Sequence, residues 1–404
     1  MNRAGFGDRF VRPLGGDASF AALPATIEYA LSGIGHPIPA ISGRYDRVVL
    51  VLIDAFGWRF FGRHERHPLL RRLAKDGVVV RLSSQFPSTT TAHLTTVHTG
   101  LPVGETGLYE WFMYEPSLDR IIAPLLFSYA GDDTRGTLLA DHVRPDVLFP
   151  FGTLYQRLAA EGVRSFAFQD AAFTPSPYSS AMFNGATLRG EQSLAAMLVG
   201  ATDAVDRCTP SYAFVYDGSV DAVGHQFGPS SGRFDAQTDS VLTTIDEVLL
   251  PRLARLGGST LLLITADHGQ VDIDPATTIN VNVEWPEILD HLLRGKDGRP
   301  LAPAGSVRDL FLHVGDDSVE PVCHHLGRRL HGRAEVHAVA DLIDAGLFGT
   351  VTQRLRDRVG NVAVLPYASE SVWWDDPRLA RGWLGGHGGL LADEVDTFVA
   401  ALSL

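Results

Sequence analysis

The clearest pattern along the chain is a set of short, unbroken apolar runs, each of which stops at polar or acidic residues. Arg47 to Ile53 reads RVVLVLI, continuous and β-branched, as in a central strand buried on both faces. Similar runs occupy 78–84 (VVVRLSS), 165–170 (SFAFQD), 212–217 (YAFVYD) and 260–267 (TLLLITAD). Between them, 152–161 and 234–256 have the periodicity of helices. Strands alternating with helices predict an α/β fold: a mainly parallel central sheet with helices on both faces. Ligands of such sheets collect beyond the carboxyl ends of the strands. Asp54, the segment after Ser84, the stretch from Asp217 to His225, and Asp267 with His268 each follow a predicted strand. They are expected to converge on one edge.

From about residue 276 the texture changes. A KDGRP turn at 296–300 precedes a predicted strand at 307–314, a helix at 318–331 and a strand at 361–366. Three parts follow: a core over 1–275, a small α+β insertion over 276–375, and a return to the core over 376–404 that carries His387.

Composition narrows the picture. With 404 residues, 45% hydrophobic and 20% charged, the chain has the balance of a folded protein with room for a core and an insertion. A net charge of −13 disfavours polymeric nucleic acid and leaves a small phosphate compound as the expected partner. Two cysteines, Cys208 and Cys323, are too few for a disulfide framework or a thiolate metal site. No run is long and apolar enough for a membrane span, and the first twenty residues lack the apolar stretch of a signal peptide. The expected setting is cytoplasmic, without a membrane partner.

The strand ends carry the chemistry. Asp54, Asp221 with His225, Asp267 with His268, and His387 form a mixed carboxylate and imidazole set suited to zinc. Two such ions can clamp the attacking and the leaving oxygen of an in-line displacement. Any one of these residues alone would read as a helix cap or a structural histidine; the set is what points to metal. The segment FPSTTTAHLTTVHTGLPVGETG, 86–107, offers hydroxyls where a helix begins, beside free backbone N–H groups. Read alone, Ser88 and Thr89 to Thr91 are N-caps; beside the ligand set, Thr90 becomes a nucleophile candidate.

These segments resemble the alkaline phosphatase superfamily, in particular the type I phosphodiesterase/nucleotide pyrophosphatase family. The matching stretches are VLVLIDAFGW (50–58), FPSTTTAHLTTVHTGLPVGETGLYEW (86–111), DAVGHQFGP (221–229), TADHGQ (265–270) and GGHGG (385–389). The resemblance implies a hydrolase with one zinc held by Asp221, His225 and His387. It implies a second held by Asp54, Asp267 and His268, with Thr90 as its hydroxyl ligand and nucleophile through a phospho-threonine intermediate. The register is counted back from Thr99-Gly100. Where nucleotide-cleaving members carry an asparagine shortly after the nucleophile, this chain has His93, expected to contact substrate in its place.

Other features stay open at this level. Trp111, Phe112, Tyr114, Phe127 and Tyr129 either line a substrate pocket, with Trp111 the foremost candidate, or fill the core. Trp373 and Trp374 pose the same choice. His98 reads as structural, and Arg71-Arg72 and Arg328-Arg329 as solvated helix faces. The CTPSY stretch at 208–212 is similar to a sulfatase signature but lacks its arginine. A phosphonate hydrolase or phosphomonoesterase on the same core is the alternative activity, and a catalytically silent interaction module the alternative class.

Overall fold

The computed structural model describes residues 9–132, 134–379 and 382–404. Its centre is a seven-stranded sheet built from β1 (Arg47–Ile53), β2 (Val78–Ser83), β3 (Arg164–Asp170), β4 (Ala186–Glu191), β5 (Ser211–Asp217), β6 (Thr260–Thr265) and a strand at the chain's end. Between β6 and that last strand lies a four-stranded antiparallel sheet of β7 (Ala304–Ser306), β8 (Asp309–Leu312), β9 (Ala334–Ala338) and β10 (Val362–Pro366). The last strand is β11 (Asp396–Ser403), and the order across the main sheet is β2-β11-β6-β1-β5-β3-β4.

Side-chain alternation explains why β1 sits in the middle. Val48, Leu50 and Leu52 enter one apolar cluster, while Val49, Val51 and Ile53 enter the other, on the opposite face of the sheet. A strand with both faces apolar has no solvent side, so it is stable only when covered by helices on each face. β1 pairs in parallel with β5 and β6. β11 runs antiparallel to both β2 and β6. Because β11 runs the other way, its first residues lie at the carboxyl edge of its neighbours, and the residues before it, His387 among them, arrive at that same edge.

The predicted strands occur within a few residues of their expected places; the 307–314 run is shorter, confined to β8. The helix expected at 234–256 is Gly232–Thr244, followed by a wider π turn at Ile245–Leu249 and a last turn at Leu250–Leu253 that contains Pro251. Two ion pairs are buried close by, one from the turn between β7 and β8 to the short helix before β11, the other from the helix Gln353–Arg358 to a short strand at Met113–Glu115. Arg308 meets Glu394 at 2.9 Å, both side chains fully buried, and Arg358 meets Glu115. Among the described residues no helix is long and apolar enough to cross a membrane.

Candidate functional site

Asp54 follows β1 directly, and Asp267 and His268 lie just past the end of β6. The sheet has ended before this pair, so neighbours that would point to opposite faces of a strand turn to the same side. Asp267 Oδ1 accepts the N–H groups of Ala55 and His268 at 3.1 and 3.0 Å, which locks the two strand ends together. From the end of β5 the chain enters helix α2 (Ser219–Phe227), where Asp221 and His225 share one face at a spacing of four. Asp217 instead accepts the Ser219 N–H at 3.1 Å and stays out of the group.

Two donor groups result. Asp54, Asp267 and His268 form one, all buried; Asp221, His225 and His387 form the other, half-buried at its rim. They abut, since the His268 and His387 rings stack with centroids 3.8 Å apart. His387 arrives on a short strand, Gly385–Gly386, paired antiparallel with Val271–Asp272. In each histidine of these groups Nδ1 lies on a backbone carbonyl: His225 on Gly385 at 2.7 Å, His268 on Gly269 at 3.0 Å, His387 on Ser88 at 3.0 Å. Nδ1 therefore carries the proton, and each Nε2 turns its lone pair to the centre.

Helix α1 (Thr90–Thr99) begins here with Thr89 as its N-cap. Thr89 donates its hydroxyl to Tyr109 O at 2.6 Å and is buried. Thr90 is half-exposed, its Oγ1 3.4 Å from both Asp54 oxygens and 3.2 Å from His268 Nε2.

The spacings within each group fit a metal. Four ligands at the vertices of a tetrahedron with zinc bond lengths lie about 3.4 Å apart. His268 Nε2 is 3.5 Å from Asp54 Oδ1 and 3.5 Å from Asp267 Oδ2, and His225 Nε2 is 3.3 Å from Asp221 Oδ1. His387 Nε2 is 3.7 Å from the same Asp221 oxygen. Asp267 Oδ2 is buried without a hydrogen-bond partner, an acceptor that needs a cation. Burial pushes Asp267 up to about 7, with the Asp221 charge adding to it, and raises Asp54 well above the usual carboxylate range, with Asp267 and Asp221 adding to it. The same burial holds His268 well below its ordinary value and His387 at about 4. Carboxylates that resist ionising and imidazoles kept neutral form a centre that lacks positive charge.

Not every expected residue faces this centre. His93 has both ring nitrogens engaged: Nδ1 lies 2.7 Å from Thr89 O, and Nε2 accepts the Gln85 N–H at 2.8 Å. It is fully buried and held at about 4 by burial, so it is a structural pin with no atom left for a phosphate. Trp111 is half-buried, with its indole N–H lacking a partner. Phe112, Phe127, Trp373 and Trp374 are core. Cys208 precedes β5, at the opposite edge of the sheet. His98 is buried against Phe183 and Phe214, with Nδ1 2.9 Å from the Tyr155 hydroxyl.

Three residues that sequence reasoning passed over touch the site. The Tyr216 hydroxyl donates to Asp54 Oδ2, and Gln270 Nε2 donates to Asp221 Oδ1 at 2.9 Å. Trp383 stacks on His225. Gln270 lies inside the TADHGQ stretch and could have been found there; Tyr216 and Trp383 carry no signal of their own.

The sequence model of the type I phosphodiesterase/nucleotide pyrophosphatase family matches residues 48–376. The chain belongs to this family. It is thus one of a family of metal-dependent hydrolases that act on phosphoric ester and diphosphate bonds. No curated protein sequence matches the chain. Among solved structures it resembles an inactive form of murine ectonucleotide pyrophosphatase/phosphodiesterase 5 in complex with AMP, at 16% identity and TM-score 0.65 over 88% of each chain. The human form gives TM-score 0.65 at 16% identity, over 88% of this chain and 87% of that one. Phosphonoacetate hydrolase from Sinorhizobium meliloti in complex with phosphonoacetate gives TM-score 0.60 at 16% identity, over 89% of this chain and 91% of that one. At such identities the likeness is one of fold, an alkaline phosphatase-like α/β architecture shared across the family.

Proposed function

We propose that the protein is a phosphodiesterase or nucleotide pyrophosphatase-like hydrolase in which Thr90 is the nucleophile and two zinc ions are bound. One would be held by Asp54, Asp267 and His268 with Thr90, the other by Asp221, His225 and His387. Bound there, such ions supply Lewis acidity to the attacking and leaving oxygens. The observation that carries the reading is the contrast between adjacent threonines: Thr89 is committed to its cap, and Thr90 faces the ligand group.

In the reaction Thr90 Oγ1 releases its proton to solvent and bonds to phosphorus as the bond to the leaving oxygen breaks. Water then attacks the phospho-threonine, and Thr90 recovers a proton. The first N–H groups of α1 have no carbonyl partner inside the helix and point toward a phosphoryl oxygen held above Thr90.

The fold shared with phosphonoacetate hydrolase favours a second reading, a phosphonate hydrolase on the same centre. A small phosphodiester, nucleotide or phosphonate is the substrate class in either case. The test compares zinc-loaded wild type with Thr90→Ala on an aryl phosphodiester, a nucleotide diester, a phosphomonoester and a phosphonate. Thr90→Ala is expected to lose at least about 1,000-fold in turnover while keeping the fold and most bound metal, because Asp54, Asp267 and His268 remain. Near wild-type activity in Thr90→Ala with loss in Thr89→Ala would move the nucleophile by one residue. Insensitivity of both would end the covalent mechanism.

A further inference from the structure

Four residues before His387, Trp383 lays its indole over the His225 imidazole, with ring centroids 4.0 Å apart and planes 33° from parallel. The backbone holds it there. Leu384 N–H donates to His225 O at 2.7 Å, and His225 Nδ1 donates to Gly385 O at 2.7 Å. Gly224 and Gly385 pack main chain to main chain, so closely that a Cβ on Gly385 would overlap the Gly224 carbonyl. The indole is therefore a fixed wall beside the Asp221, His225 and His387 group.

Trp383 is half-buried, and Leu384 next to it is 40% exposed. Leu384 sits over Gly228, the residue that follows α2. Two partly exposed apolar side chains thus follow one another beside a centre otherwise made of carboxylates and imidazoles. A partly exposed indole beside a polar site is apolar surface that a ligand can cover.

Position decides which part of a ligand. Thr90 stands with Asp54, Asp267 and His268; Trp383 stands with the opposite group. In an in-line displacement the leaving oxygen departs on the side away from the nucleophile. We propose that Trp383, with exposed Leu384 beside it, is a specificity wall for the departing alcohol, selecting a planar aromatic leaving group over a small or highly charged one. The inference rests on Thr90 as the nucleophile. In that step the bond from Thr90 Oγ1 to phosphorus forms, the bond from phosphorus to the aryl oxygen breaks, and the aryl oxide leaves with the electron pair and takes a proton from water.

The experiment uses zinc-loaded wild type, Trp383→Ala and Trp383→Phe with two diesters that share a methyl group and differ in the leaving alcohol, 1-naphthyl and phenyl. Trp383→Ala is expected to lower the naphthyl-over-phenyl preference in kcat/KM about five-fold, through KM and with zinc content unchanged. Trp383→Phe should keep most of the preference. An unchanged ratio would overturn the proposal. So would an equal loss on both substrates accompanied by loss of zinc, because the indole would then only brace His225. Calorimetric binding of 1-naphthol to wild type and Trp383→Ala tests the wall without turnover: binding weakened in the variant supports it, and equal affinity overturns it. Wild type that binds 1-naphthol through Trp383 yet cleaves neither diester would refute the proposed reaction and leave the wall standing.

Discussion

Thr89 and Thr90 are chemically identical neighbours, and only the point at which α1 starts separates a cap from a hydroxyl facing Asp54 and His268. The residue types at the centre were legible because aspartate and histidine at strand ends are few and recur in sets. Where each side chain aims was not. His93 looked like a substrate contact by position, but four residues along a helix return a side chain to the same face, so it folds back onto the Thr89 carbonyl. Tyr216 reads as the last apolar residue of a strand; only the arrival of Asp54 from β1 gives its hydroxyl an acceptor. Replacing Tyr216 with Phe removes that donor without changing shape. Metal affinity at the Asp54 group should fall about ten-fold, as when an outer hydrogen bond to a ligand is lost, with thermal stability nearly retained. Chelator competition measures it, and unchanged affinity would show the hydroxyl idle.

At the scale of elements, unbroken β-branched runs gave β1, β5 and β6 away, because a strand buried on both faces has little freedom in composition. β4 and β9 were missed for the opposite reason: they are short and half-exposed, with no strong pattern. The direction of β11 was also hidden, since polarity within a sheet depends on how the connection returns and not on the strand's own residues. The TADHGQ loop shows a similar limit. The φ of Gly269 is not in the left-handed region, so the sequence alone does not say why glycine stands there; a Cβ would overlap the Asp393 carbonyl oxygen. It is a glycine of close approach. Gly269→Ala should cost about 2 kcal/mol or more, a clash with main chain being hard to relieve, and should lower metal content by displacing Asp267 and His268. Urea unfolding with parallel metal analysis tests this; a neutral substitution would mean the loop has room to shift.

The whole molecule is organised by what crosses between the two sheets. Glu110, in the loop after α1, and Asp309, on β8, are buried side by side, with Ser306 donating to Asp309 at 2.6 Å. Burial raises both carboxyls, Glu110 to about 7, so the pair shares a proton at neutral pH. An unfolded glutamate ionises near 4.3. Between these values the folded chain binds a proton that the unfolded chain has released, so this contribution to stability declines as pH rises from about 4.3 to about 7 and the full penalty remains above. Glu110→Gln has no such proton. Its stability relative to wild type should therefore be higher at pH 8 than at pH 5, read as the shift in urea midpoint at each pH; the same difference at both would contradict the shared proton.

The place of β11 bears on how the protein comes into being. Its eight residues fill the slot between β2 and β6, so both flanking strands expose open edges until β11 pairs with them. His387 reaches the metal groups only as that slot is filled. Folding intermediates without β11 are therefore the ones most prone to self-association, and the group of Asp221, His225 and His387 is complete only once β11 is seated.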